Sequence, residues 1–157
     1  MTGTEHLTAR HNTLGDAAVD GLWGGALAGV VMAAFVVGAG LLGGAGPADT
    51  LARFDPSATA SPVTGAFLHL AASCVYGTLF GSGWRILGRR WIGRRPVAAA
   101  AGTAFGLALW AVAEWIILPG AGSGLREFPP ASFAAAHLIF GAMLGWLLAT
   151  ASPRATL

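Results

Sequence analysis

The sequence predicts an all-α membrane protein, a bundle of four transmembrane helices with both termini in the cytoplasm. Composition comes first: 55% of the 157 residues are hydrophobic and only 10% are charged, where a soluble domain carries about 25% charged residues. The apolar residues then fall into four blocks, about 22–43, 63–84, 97–118 and 133–150, each close to the ~20 residues a helix needs to cross ~30 Å of hydrocarbon. A transmembrane barrel would show short alternating segments instead. Finally, Arg85, Arg89, Arg90, Arg94 and Arg95 crowd the connection between the second and third blocks. Dense arginine in a short loop marks the cytoplasmic side, where it meets anionic headgroups. The other two connections pair Arg53 with Asp49 and Asp55, and Arg126 with Glu127, so they carry no such excess and face outward.

The net charge of +2 therefore expresses membrane topology, with the lipid bilayer as partner and no nucleic-acid footprint. No phosphate-binding or dinucleotide-binding glycine pattern opens a soluble βα unit, so nothing points to nucleotide use.

Residues 1–18 read as a disordered polar tail in which His6 and His11 are solvated; residues 19–151 form the membrane domain and 152–157 a short tail. In the first helix Gly21, Gly25, Gly29 and Ala33 recur at four-residue spacing. Helices in lipid gain little from hydrophobic association, and small residues that let backbones touch take its place. Asp20 suits the positive start of this helix. The connection 45–61 is rich in Pro, Asp, Ser and Thr, and its ADTLARF stretch suits a short surface helix. Ser61-Pro62 reads as an N-cap with proline in the first turn.

The second helix carries His69, Ser73, Gly77 and Gly81 at the same spacing, with Tyr76 alongside. Cys74 is the only cysteine, which excludes an intramolecular disulfide and a multi-cysteine metal site. The third helix carries Gly102, Gly106, Trp110 and Glu114 and stops at Leu118-Pro119-Gly120, a firm end. Ser132 caps the fourth, which carries His137, Gly141, Gly145 and Ala149.

Glu114, His69 and His137 lie within apolar runs. At ~1.5 Å per residue each is on the order of 7–10 Å from the outer end of its helix, so the three are expected at one depth. An ionisable group facing hydrocarbon costs about 2.5–3.5 kcal/mol on insertion scales, so such groups turn inward and find partners. One reading is an interhelical hydrogen-bond cluster. Another is a metal centre, since His69, Glu114 and His137 supply the two-histidine, one-carboxylate set that suits zinc or non-haem iron. A third is haem b, with His69 and His137 as axial ligands and Arg53 or Arg126 near the propionates. A proton relay for transport is the fourth, although no inverted repeat supports it.

The stretches FLHLAASCVYGTLFG, LALWAVAEWIILPGAGSG and AAHLIFGAMLGW, following a glycine-rich first helix, resemble the YagU-like small inner-membrane proteins of bacteria and archaea. The resemblance covers about residues 20–150 and implies a multi-pass protein of the prokaryotic inner membrane. It implies no reaction. The expected function is that of a non-catalytic subunit or binding protein within a larger membrane complex or homo-oligomer, holding a metal or haem at the His/Glu/His cluster. The alternatives are a proton-coupled small transporter, a haem electron carrier or a small enzyme.

Overall fold

Thr13 begins the ordered helix α1, Leu14–Leu42, with a reciprocal capping box: the Asp16 amide donates to Thr13 Oγ1 at 3.1 Å, and the Thr13 amide donates to the Asp16 carboxylate at 2.9 Å. That box satisfies amides the first turn cannot pair internally. It also starts the helix eight residues before the apolar run, so residues 14–18 are helical rather than part of a disordered tail, and Asp16 and Asp20 sit within α1. The structure, a computed structural model, describes residues 13–88, 94–120 and 124–150. His6, His11, Arg89, Arg90 and the tail from 151 onward lie outside the described residues.

The remaining elements are α2 (Pro47–Ala52), α3 (Pro62–Leu87), α4 (Arg95–Val112) and α5 (Pro130–Thr150). The last turn of the third span, Ala113–Ile117, is π-helical, and Gly124–Glu127 forms a 3₁₀ turn. No strand occurs among the described residues. Four helices are long and apolar enough to cross a membrane: Leu14–Leu42, Pro62–Leu87, Arg95–Ile117 and Pro130–Thr150. Large apolar side chains such as Trp23, Val63, Phe67, Leu79, Trp115 and Ile116 are exposed, as a lipid-facing surface requires.

The spans stand in the spatial order α3, α1, α5, α4. Two close seams hold the outer pairs. In the α1/α3 seam, Gly21 and Gly25 face the backbone of Gly77 and Ser73, and Gly81 faces Ala17 and Gly21. In the α4/α5 seam, Gly102 faces Gly141 and Gly145, and Gly106 faces the His137 carbonyl. At each of these glycines a Cβ would collide with backbone that has no rotamer to move. Between the two pairs, α1 meets α5 through larger side chains: Gly24 takes Leu144, which is fully buried, and Ala28, Met32, Phe140 and Phe133 continue the core. By contrast α3 and α4 make no comparable backbone contact. They meet through Phe80 and Phe105, whose ring centroids are 5.2 Å apart.

Candidate functional site

The end of the molecule that holds α2 is closed by two connections tied to each other. Thr50 is fully buried against Gly40 and donates its hydroxyl to the Gly46 carbonyl at 2.9 Å. Asp55, also buried, accepts the amides of Ser57 and Ser61 at 2.9 Å each. Those amides favour the ionised carboxylate and hold its pKa below the ordinary value. Arg53 then crosses to the other connection, pairing with Glu127 at 3.3 Å and lying 5.0 Å over the Phe128 ring. Phe54 packs between Phe128 and His69, with centroids 6.0 Å and 4.6 Å away.

Beneath this cap lies a cavity of about 380 Å³, within the range of small-molecule sites. Its walls are mainly apolar, from Met32, Phe54, Leu109, Leu125, Phe133 and Phe140, and its polar members are His69, Ser73, Tyr76 and His137. Both histidines therefore reach one chamber.

Each imidazole is fixed by a backbone carbonyl. His69 Nε2 lies 2.9 Å from the Gly29 oxygen on α1, and His137 Nδ1 lies 2.9 Å from the Phe133 oxygen one turn earlier. A carbonyl only accepts, so the nitrogen facing it carries the hydrogen. The unprotonated nitrogens are then His69 Nδ1 and His137 Nε2, and neither has a hydrogen-bond partner among the described residues. Neither is sealed away: Trp110 Nε1 is the buried, unpartnered side-chain polar atom among those residues. Ser73 spends its hydroxyl on the His69 carbonyl at 2.8 Å.

Glu114 departs from expectation. It lies half-buried in the π-helical turn and is absent from the cavity wall. Among the described residues no three of His, Cys, Asp and Glu gather as a metal site, so the His69, Glu114 and His137 ligand set is not assembled. The reason is helical geometry. Four-residue steps overshoot a 3.6-residue turn by about 40° each, and from Ala113 the wider π-helical turn changes the rotation per residue again, so a four-residue spacing does not keep Glu114 on the α4/α5 seam. His137 needs only one step from Gly141, and His69 one step from Ser73.

Of the arginines expected at the inner interface, Arg85 lies in the last turn of α3, Arg94 caps α4, and Arg95 lies 5.6 Å over the Trp146 ring. Cys74 is a free, half-buried thiol. Sequence reasoning missed Phe54 and Tyr76 as cavity residues; the aromatic content of the 45–61 connection was the available signal for Phe54. No protein-family model, curated protein or solved structure matches the chain.

Proposed function

We propose that this small multi-pass membrane protein is a non-catalytic binding protein whose His69–His137 cavity takes a small, largely apolar molecule from the bilayer. One observation carries the proposal: two imidazoles, each with its N–H tied to a backbone carbonyl and its other nitrogen unshared, line a single aromatic-walled chamber. Apolar walls with a few convergent polar groups are the usual form of a ligand site. The arginine-rich α3–α4 connection supports placing that loop and both termini in the cytoplasm of a prokaryotic cell, which sets the cavity toward the outer leaflet. The YagU-like resemblance supports the same topology.

A second reading is favoured by the same hydrogen bonds. Histidines that hold a metal or haem iron also anchor their other ring nitrogen on a carbonyl, and two such rings line this cavity. With no carboxylate beside them among the described residues, a metal would need its remaining ligands from the bound molecule.

The test is purification of the full chain in mild detergent, followed by an absorption spectrum, elemental analysis and mass spectrometry of the organic extract. The expected result is a stoichiometric small molecule, lost from the His69→Phe/His137→Phe double variant. A Soret band or bound metal would establish the second reading instead. Protein that is folded, metal-free and empty of any organic ligand overturns both.

A further inference from the structure

We infer that the cavity binds the reduced, dihydroxy form of a quinone-type lipid in preference to the oxidised form. The inference rests on the ligand-binding reading above and specifies its ligand. His69 Nδ1 and His137 Nε2 are acceptors, and they are held so because either ring would lose its carbonyl bond on exchanging tautomer. Ser73 is committed to a carbonyl. Tyr76 is the one lining residue whose side-chain hydrogen is uncommitted among the described residues. The residues that line the chamber thus carry two fixed acceptors and one free donor.

A quinol matches that inventory. Its two hydroxyls, on opposite sides of a flat apolar ring, satisfy both imidazole nitrogens, and the ring lies among Phe54, Phe133 and Phe140. The quinone presents two carbonyl oxygens that only accept. It opposes lone pair to lone pair at both histidines and gains at most the Tyr76 hydroxyl. A site built to pair a ligand's O–H discriminates strongly against the analogue lacking it, because buried polar groups are otherwise left unpaired.

The same side of the bundle holds room for a tail. A second cavity of about 490 Å³, lined by Leu79, Phe80, Trp84, Leu87, Ala101 and Phe105 among others, lies between α3 and α4. These two helices lack a glycine seam, which leaves space between them, walled by apolar side chains together with the backbone of Gly83 and Gly88. Phe80 and Phe105, in contact at 5.2 Å, line the tail cavity alone, while Leu109, one turn on from Phe105, lines the histidine cavity. An isoprenoid or alkyl chain that parts the Phe80–Phe105 contact would find an apolar groove there.

The experiment is a redox titration of decylubiquinone with the full-length protein in lipid nanodiscs, compared with empty nanodiscs. Preferential binding of the quinol raises the midpoint potential by about 30 mV for each tenfold difference in affinity in a two-electron couple, and at least one such step is expected. Tyr76→Phe removes a donor that the oxygens of either form can use, so it leaves the sign of the shift positive. The His69→Phe/His137→Phe variant, confirmed as folded by its helical circular dichroism, abolishes it. A zero or negative shift with the wild-type protein overturns the inference. If a different small molecule is meanwhile found in the organic extract, the binding-protein reading stands without the quinol; if the extract is empty, both fall.

Discussion

His69 on α3 reaches across to α1 and donates its Nε2 hydrogen to the Gly29 carbonyl oxygen, 2.9 Å away. The bond exists because Gly29 has no side chain: a Cβ there would meet Ser73 Oγ at 2.5 Å and push the two helices apart. A packing residue and a site residue are thus two ends of one interaction. Interhelical hydrogen bonds in membranes contribute about 0.6–2 kcal/mol. His69→Phe, which keeps a ring against Phe54, should lower stability by roughly that amount in a denaturant or thermal titration in micelles. His69→Ala should cost more, because the Phe54 contact is lost as well.

The seams make a sharper prediction. Gly77→Ala sets a methyl group against the Gly21 carbonyl and Gly25 backbone, and Gly102→Ala does the same against Gly141 and Gly145. Each should destabilise the fold by at least ~1–3 kcal/mol, the usual cost of overpacking, because the obstructing atoms are main chain. Gly38→Ala is the control, since nothing lies within 4 Å of its Cβ position. There alanine should be neutral or stabilising by up to about 1 kcal/mol through helix propensity. Parallel melting curves decide the matter.

Acid should loosen the cap before it unfolds the helices. The amides of Ser57 and Ser61 lower the Asp55 pKa in the folded state, so the carboxylate's contribution is complete above its unfolded value of about 3.9. It is lost as pH falls below that value and through the depressed folded one. Amide exchange of Ser57 and Ser61 should rise in that window while the exchange of the helices is unchanged. Asp55→Ala should show the fast exchange already at neutral pH.

Trp110 carries a buried indole N–H with no partner among the described residues, which costs on the order of 1–3 kcal/mol. Trp110→Phe removes that donor while retaining an aromatic ring. It should therefore cost less than the ~3 kcal/mol or more typical of truncating a buried tryptophan to alanine, by the same melting assay.

The four spans were legible because apolar length alone specifies them. The start of α1 was less so, because Thr13 and Asp16 form their capping box upstream of the hydrophobic run and lipid-scale hydropathy does not register it. The two histidines share a chamber, as equal depth suggested, whereas Glu114 does not, since depth says nothing about rotation around the helix. Nor does a four-residue spacing of small side chains say which neighbour it meets. The order α3, α1, α5, α4 arises from tertiary packing of interchangeable smooth faces. Phe54 over His69 depends on how a connection folds back, which no periodicity records.

That order also bears on how the chain enters the bilayer. Each glycine seam joins helices consecutive among the four spans: one lies wholly within residues 14–87 and the other within residues 95–150. The first half can close its seam before the second has left the ribosome. Biogenesis can then proceed by inserting two hairpins in turn and docking them through Leu144, Phe140 and Met32, a route in which only the contact of α1 with α5 waits for the far end of the sequence.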